Sequence, residues 1–318
     1  MKFYIKKIIT LIITLLIVSF LTFLAFDLIS GDPAISKLGT QATPEKVEAL
    51  REEMGLNDPL PVRYARWISG FVTGDLGESY SYHLPVGQML LEKLPVTLTM
   101  MGMSFIMILL LGIPLGILCA RHENGIVDHI LSVLNQIAMS IPPFFLGVLL
   151  TFLFGLVFKL FTPGGYVSYQ DSAAGFLGYL ILPSFAIALP KSAMTVKLLR
   201  SSVLGQLRLD YVKTARSRGN TQNGVLYRHV LRNACIPVLT FLGMALADML
   251  ASSIIIEQVF GIPGLGRMLV GSISGRDYPV VQAIITFLAA FVVIVNFLVD
   301  MGYRWLDPRV RLGGSGNE

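Results

Sequence analysis

Long apolar runs separated by polar segments dominate this sequence of 318 residues. The first run extends from Ile8 to about Leu28 and follows Lys2, Lys6 and Lys7. Five more runs of comparable length lie at about residues 97–120, 130–157, 176–199, 235–257 and 280–303. A helix of about 20 apolar residues crosses the roughly 30 Å hydrocarbon core of a bilayer. The pattern therefore predicts an all-α, polytopic membrane bundle of six transmembrane helices.

The first run is predicted to remain in the protein as a membrane span. A secretory signal peptide has a shorter apolar core and small residues at a cleavage site. The stretch from Leu28 to Pro33 offers no such site. Residues 1–30 are therefore predicted to form the first transmembrane helix, which begins in the cytoplasm.

A long polar segment, residues 31–96, follows the first span and is predicted to lie outside the cytoplasm. Within it, the sequence predicts a helix that begins with Thr43 as N-cap, Pro44 at the first helical position and Glu45 in the first turn. Gly55 is expected to end this helix. We therefore expect a small extracytoplasmic helical segment between the first two spans.

A second helix of this segment is predicted after Pro61. One of its faces carries Tyr64, Trp67, Ile68 and Phe71 at helical spacing. Such a face suits a helix that lies in the membrane interface, and it equally suits a face that packs on the rest of the segment. In either case an external protein would meet this side of the chain, so we take Trp67, Glu257 and Arg267 as candidate contacts for a binding protein.

Lysine and arginine are distributed unevenly between the two sides of the predicted bundle. The inner segments carry 15 of them, whereas the two short outer loops, residues 159–175 and 258–278, carry only Lys159, Arg267 and Arg276. Cytoplasmic loops of membrane proteins are enriched in these residues. We therefore expect both termini in the cytoplasm, with residues 304–318 as a cytoplasmic tail.

The composition fits a membrane protein and argues against other classes. Hydrophobic residues make up 54% of the chain and charged residues only 14%, against roughly 25% charged residues in soluble domains. The net charge of +5 arises from basic residues near span ends, so a nucleic-acid partner is not expected. The sequence contains no phosphate-binding loop, and its four histidines and two cysteines are scattered. We expect no catalytic residue, metal site or cofactor in this chain.

A basic polar stretch lies between the fourth and fifth spans, in the predicted cytoplasmic loop 200–234. Eight Lys or Arg residues fall in or beside it: Lys197, Arg200, Arg208, Lys213, Arg216, Arg218, Arg228 and Arg232. Ala215 and Gly219 are four residues apart, so on a helix they would share one face and leave a shallow notch. Gly219 also permits a positive φ and a sharp turn. Helix, tight turn and second helix predict a knob that enters a cleft on another protein.

The same loop resembles that of a known family. Lys213, Thr214, Ala215 and Gly219 occupy fixed positions of the cytoplasmic EAA loop of ABC-importer permeases, although the leading Glu of that pattern is absent. Residues 213–216 resemble the variant of the dipeptide/oligopeptide/nickel branch. Six further stretches resemble this branch in the right order: 31–33 (Gly-Asp-Pro), 54–60 (Met-Gly-Leu-Asn-Asp-Pro-Leu), 74–77 (Gly-Asp-Leu-Gly), 260–267 (Phe-Gly-Ile-Pro-Gly-Leu-Gly-Arg), 276–282 (Arg-Asp-Tyr-Pro-Val-Val-Gln) and 307–309 (Asp-Pro-Arg).

The resemblance implies a permease subunit of an ATP-driven importer of small peptides or, alternatively, of nickel or a metal chelate. Such an importer has a second homologous permease, two ATPase subunits that hold ATP and Mg²⁺, and an external substrate-binding protein. The basic loop would be the coupling helix that docks on an ATPase. Its implied contact residues are Tyr211, Lys213, Thr214, Ala215, Arg216, Arg218, Gly219 and Arg228.

Charged and proline residues within the spans are the candidates for the translocation path. Asp248 falls near the middle of the fifth span, where a charge is costly unless it faces protein or water. Its carboxylate either lines the path and attracts a cationic group, or pairs with Lys191 of the fourth span. Pro142 and Pro143 in the third span remove backbone donors, which suits a gate and equally suits plain packing.

Two other classes of protein are alternatives. A secondary transporter driven by an ion gradient would show inverted repeats or paired broken spans, and no internal repeat is visible in the sequence. A membrane-embedded enzyme would need several catalytic groups at one depth, whereas Asp248 stands nearly alone. The resemblance therefore favours the importer subunit.

Overall fold

A computed structural model describes residues 2–29, 32–38 and 42–306. Within these ranges the chain forms thirteen α-helices and no β-strand, with one isolated antiparallel bridge between Glu78 and Pro85. Most of the predicted tail, residues 307–318, lies outside the described residues. The all-α class expected from the apolar runs is confirmed.

The chain divides into two compact units. The first comprises Met1–Thr97 and Pro263–Ile294, and the second comprises Leu98–Ile262 and Val295–Glu318. The helices that begin in the first unit are α1 (Lys2–Ile29), α2 (Pro33–Leu38), α3 (Pro44–Glu53), α4 (Leu60–Thr73), α5 (Val86–Arg121), α12 (Leu265–Ser274) and α13 (Tyr278–Leu306). Those that begin in the second are α6 (Ile126–Ser140), α7 (Pro143–Leu150), α8 (Ala173–Leu207), α9 (Asp210–Ser217), α10 (Gln222–Val225) and α11 (Leu231–Phe260). Two π-helical turns, Thr151–Val157 and Leu226–Val230, complete the second unit.

Five helical segments of the described chain are long and apolar enough to cross a membrane. They are found within α1, α5, α8 and α13 and in the continuous stretch Gln222–Phe260. The pair formed by α6 and the stretch Pro143–Val157 provides a sixth span if it is counted as one. The described residues therefore provide five spans, or six with the bent pair, against the six predicted.

The predicted third span, residues 130–157, is not one straight helix. α6 ends at Ser140, α7 begins at Pro143, and the two parts are bent by 100°. Ile141 is extended, with φ −90° and ψ 119°, because the ring of the following proline disfavours helical backbone in the residue before it. Pro142 and Pro143 therefore break the span instead of merely kinking it.

Two further boundaries differ from the predictions. The span expected at residues 235–257 belongs to helical structure that is continuous from Gln222 to Phe260 and contains Pro237 inside it. The outer loop expected at residues 258–278 contains α12. Gly261 ends α11 in the left-handed conformation, with φ 68°, so a new helix begins only four residues later.

In the first unit, α4 packs its aromatic face on α1. The hydroxyl of Tyr64 lies 2.8 Å from Oγ of Ser19. The ring centroid of Phe23 lies 5.6 Å from that of Tyr64 and 5.7 Å from that of Trp67. Such aromatic pairs stabilise a contact beyond the area that they bury. The face therefore packs on the first predicted span and not on the rest of its own segment, and a position in the membrane interface stays a prediction.

A buried carboxylate holds the loop before α5 in the first unit. Asp277, which precedes α13, accepts hydrogen bonds from Oγ of Ser79 at 2.5 Å, from the amide of Tyr80 at 3.0 Å and from the amide of Ser81 at 3.3 Å. Burial, together with the nearby Asp277 charge, raises the pKa of Tyr80 to about 12. Three donors around one buried carboxylate satisfy the charge that the fold removes from water.

The second unit is built around α8, which packs against α6, α7 and α11. Close approach of α5 to α8 depends on glycine. A Cβ atom on Gly112 would lie 2.6 Å from Cγ2 of Thr195, and one on Gly116 would lie 3.0 Å from Cβ of Leu199. Small residues at helix contacts let two backbones approach closely in membrane proteins, so α5 owes its position against α8 to these two glycines.

Gly112→Ala should destabilise the protein by about 1–3 kcal/mol, because the added methyl group overpacks the contact with Thr195. Gly102→Ala is the matched control on the same helix, since nothing lies within 4 Å of its added Cβ. That control should be neutral or slightly stabilising, because alanine favours helix. Thermal unfolding of the purified variants measures both. Equal unfolding midpoints would contradict the close contact.

Candidate functional site

The basic loop predicted at residues 200–234 folds as a short helix and a tight turn that lead into a longer helical stretch. α9 ends at Ser217, and Gly219 has a left-handed φ of 80°. Thr221 then caps α10, and its hydroxyl accepts a backbone amide at 3.2 Å. The π-helical turn Leu226–Val230 joins α10 to α11. The expected first helix and turn are present, but the second helix is not a separate short one, because it belongs to the continuous helical stretch Gln222–Phe260.

Ala215 and Gly219 do not form the expected notch on one helical face. A left-handed residue cannot continue a right-handed helix, so α9 ends before Gly219. Ala215 is buried in its own chain, and its carbonyl accepts the side-chain amide of Asn220 at 2.9 Å. Gly219 remains exposed, with nothing within 4 Å of the place where a Cβ would stand. Ala215 therefore stabilises the loop, whereas Gly219 shapes its exposed turn.

The basic side chains of the loop point away from the chain. Lys213, Arg216, Arg218 and Arg228 are all exposed. Lys213 pairs with Asp210 at 2.8 Å, but both side chains are so exposed that the pair stabilises α9 very little. The guanidinium groups around the glycine turn form a surface that suits carboxylates and carbonyl oxygens of another protein.

Tyr211 ties the loop to its flanking helices. Its hydroxyl donates to Oε1 of Gln206 at 2.8 Å and accepts from Nδ2 of Asn233 at 3.5 Å. Thr214 hydrogen bonds back to the carbonyl of Asp210 at 3.1 Å. These two predicted coupling residues therefore hold the geometry of the loop from within.

An ion pair that the sequence predictions missed fixes α8 to α6. Arg200 donates from Nε and Nη2 to the two carboxylate oxygens of Asp128, each at 2.6 Å. The side chain of Asp128 is only 3% exposed, and it also accepts the amide of Asn124 at 3.0 Å. Because the partners are 72 residues apart, no local pattern links them. The one available signal was that both charges lie near span ends on the same side of the predicted bundle.

Lys191 of α8 and Asp248 of α11 form an ion pair near the middle of their helices. The lysine side chain is 10% exposed, whereas the aspartate side chain is 65% exposed. The pairing that the sequence offered as an alternative is therefore observed. It still leaves much of the carboxylate accessible, so that pairing with lysine does not prevent Asp248 from meeting a second cation.

The remaining candidates are spread over both units. Pro142 and Pro143 lie at the 100° bend between α6 and the helical stretch that follows it. Trp67 is half-buried in the aromatic face of α4, and Arg267 is exposed on α12. Glu257 is fully buried, so it presents no surface to another protein. Its choice as a binding-protein contact is corrected, because the chain itself covers the Glu257 side chain.

Comparison with known proteins finds relatives along the whole chain. Residues 112–312 match the model of a family described as binding-protein-dependent transport system inner membrane component, and residues 1–101 match the model of its N-terminal region. The chain is 39% identical over 306 residues to a putative peptide transport system permease protein of Brucella abortus, covering 96% of this chain and 98% of that protein.

Two further relatives have similar coverage. The chain is 34% identical over 299 residues to an oligopeptide transport system permease protein of Bacillus subtilis, covering 93% of this chain and 95% of the relative. It is 36% identical over 311 residues to a glutathione transport system permease protein of Pectobacterium atrosepticum, covering 98% and 99%. Each match spans both compact units.

Arg200→Gln should destabilise the protein by about 3–5 kcal/mol, because it leaves the buried Asp128 carboxylate without its counter-charge. Arg208→Gln is the matched control. Arg208 lies 3.4 Å from Glu123, and the Arg208 side chain is 78% exposed. Such surface pairs contribute little to stability. Thermal unfolding of both purified variants is the measurement. A loss for Arg208→Gln as large as that for Arg200→Gln would show that burial of Asp128 is not the cause.

Proposed function

We propose that this chain, which belongs to the binding-protein-dependent transport system inner membrane component family, is the subunit of an ATP-driven importer that forms the path of small peptides across the inner membrane. Relatives of nearly equal length carry the names of peptide, oligopeptide and glutathione permeases. The observation that carries the proposal is the exposed basic loop around Gly219. A transport subunit without a nucleotide-binding loop needs such a surface for an ATPase to act on.

Under this proposal the chain works with several partners. A second, homologous permease completes the path, and two ATPase subunits bind ATP and Mg²⁺. An external substrate-binding protein delivers the peptide. Both termini and the basic loop then lie in the cytoplasm, which agrees with the excess of Lys and Arg in the segments assigned to that side.

The continuity of the helix after the loop suggests how the ATPase acts on the path. Helical structure runs without interruption from Gln222, in the loop, to Phe260, and it carries Asp248 near its middle. A force on the loop is therefore transmitted along one rod to the charged position. α8, which carries Lys191, leads into the same loop at its C-terminal cap, Arg208. ATP-driven closure of the ATPases would move both helices of the ion pair together.

Asp248 supports the choice of peptides as substrate. Its exposed carboxylate offers a negative charge near the middle of a span, where the low dielectric strengthens attraction to a cation. The α-amino group of a peptide is such a cation. Lys191 holds one side of the carboxylate in place, so that it stays oriented when no substrate is present.

Gly219→Ala should strongly reduce ATP-dependent uptake of a labelled dipeptide, because alanine at φ 80° is strained and would reshape the exposed turn. Gly205→Ala is the matched control, since its added Cβ also meets nothing within 4 Å but its φ is not left-handed. Uptake is measured in cells that express each variant at equal level, with ATP depleted or with the proton gradient collapsed. Uptake that survives ATP depletion and fails with the proton gradient would refute the proposed function.

Asp248→Asn should lower uptake of peptides with a free amino terminus severalfold while basal ATP hydrolysis persists. The double variant Lys191→Met/Asp248→Asn distinguishes the two roles of the carboxylate. If Asp248 attracts the substrate, the double variant stays defective; if it serves only to neutralise Lys191, removal of both charges restores uptake. Restored uptake in the double variant would show that Asp248 has only a structural role.

A further inference from the structure

A charged cavity of about 370 Å³ lies in the first unit, where α1 ends and α13 begins. Its charged lining residues are three carboxylates and three cations: Asp27, Asp75, Glu78, Lys37, Arg63 and Arg66. Arg63 pairs with Asp27, and Lys37 pairs with Glu78 at 3.3 Å. Volumes of about 300 Å³ and more are typical of ligand sites. Arg66 pairs with Asp58 at 2.6 Å, so the lining presents charges of both signs that are already balanced within the chain. Such a surface suits a zwitterionic group, which adds no net charge.

A second, apolar cavity of about 260 Å³ lies along the same three helices, α1, α4 and α13. On α1 it is lined from Ile12 to Ser19, and the charged cavity begins one turn later at Phe23. On α13 it is lined by Ala290 and Thr286, and the charged cavity follows one turn earlier at Gln282. Residues three or four apart share one helix face, so the two cavities lie end to end along one stripe.

Unsatisfied polar atoms mark the boundary between the two cavities. Among the described residues, three buried side-chain polar atoms have no hydrogen-bond partner, and two of them are Nε2 of Gln282 and Oγ1 of Thr286. Gln282 lines the charged cavity and Thr286 the apolar one, one helical turn apart. A buried donor without a partner is costly. Both groups would gain a partner by turning towards an acceptor placed where charged and apolar surfaces meet.

We propose that these two cavities bind one phospholipid with a zwitterionic headgroup. The phosphate and ammonium groups occupy the charged cavity, and the amides and hydroxyl of Gln282 and Thr286 donate to the glycerol ester oxygens. One acyl chain fills the apolar cavity. The surfaces along α1 and α13 follow one another as charged, hydrogen bonding and apolar. The headgroup, glycerol esters and acyl chain of such a lipid follow one another in the same order.

A phospholipid fits this site better than a transported peptide does. The apolar cavity lies beside the middle of α1, and many of the apolar side chains of this helix are exposed in the chain, so bilayer hydrocarbon has access to the cavity. A peptide would bring backbone amides into that cavity, whose lining offers them few polar partners. A lipid leaves no such group unpaired.

The test uses the full chain, purified in mild detergent with the subunits that accompany it, and native mass spectrometry of the lipid retained per chain. The probe is palmitoyl-oleoyl-phosphatidylethanolamine. Ala290→Phe fills the apolar cavity and should abolish retention, whereas Leu21→Phe, at an exposed α1 position outside both cavities, should not. Equal retention by these two variants would overturn the proposal.

The boundary donors are tested with near-isosteric changes. Gln282→Leu and Thr286→Val should each weaken lipid binding roughly threefold to tenfold, as expected for one lost hydrogen bond, while Gln258→Leu, at an exposed position of α11, should not. Added lipid should raise the unfolding temperature of the parent but not that of the double variant. If no lipid binds there, the double variant should retain as much lipid as the parent. Its unfolding temperature should then equal or exceed that of the parent, with and without added lipid.

Competition distinguishes the source of the bound group. Free O-phosphoethanolamine should bind roughly a hundredfold more weakly than the intact lipid, because it lacks the acyl chain and each buried methylene contributes about 0.8 kcal/mol. Phosphatidylglycerol should bind more weakly than phosphatidylethanolamine, because it lacks the ammonium group for the carboxylates. Displacement of the lipid by a labelled dipeptide would assign the cavity to substrate and overturn the proposal, as would equal binding of free phosphoethanolamine or of phosphatidylglycerol.

Discussion

The contact between α8 and α11 is the interaction on which the second unit depends. Tyr179 of α8 donates to the carbonyl of Phe260 at 2.6 Å near one end of the pair, and Lys191 meets Asp248 near the middle. At the other end the two helices are connected by the basic loop itself. Since α6 and α7 also pack on α8, any displacement of the loop is shared by most of the unit. Under the proposed function the loop is therefore well placed to act as a lever, and the hydrogen bonds of Tyr211 and Ala215 hold its α9 side in shape.

Proline shows why boundaries were harder to predict than the class of fold. In a prediction from sequence, every proline counts alike as a residue without a backbone N–H donor. In the structure, however, the prolines have different effects on the helices. Pro183, Pro190 and Pro237 lie inside continuous helices, whereas Pro142 and Pro143 separate two helices by 100°. Adjacent prolines constrain two residues in succession to extended backbone, and a single proline does not. That difference was present in the sequence, but the direction and size of the bend depend on tertiary packing.

The candidate site was predictable where its cause is local. Gly219 is exposed and left-handed, as its position in the loop pattern indicated, and the pairing of Asp248 with Lys191 followed from the cost of a charge at membrane depth. Contacts between distant residues were not predictable. Asp128 and Arg200 lie 72 residues apart, and the burial of Ala215 and Glu257 depends on neighbours that no spacing rule names. Periodicity places a residue on a face, but only the assembled fold determines what covers that face.

The weakest part of the continuous helical stretch Gln222–Phe260 lies between the glycine turn of the loop and Asp248, and this location has a mechanical consequence. The π-helical turn Leu226–Val230 widens the backbone, and Pro237 cannot donate to the carbonyl four residues earlier. Beyond Pro237 the helix continues to Phe260 without another proline. Bending is therefore concentrated in the first part of the rod, on the loop side, while the part that carries Asp248 moves as a stiff body. Under the proposed function, a rotation of the loop reaches the carboxylate through this flexible part, as a displacement of the stiff part of the helix.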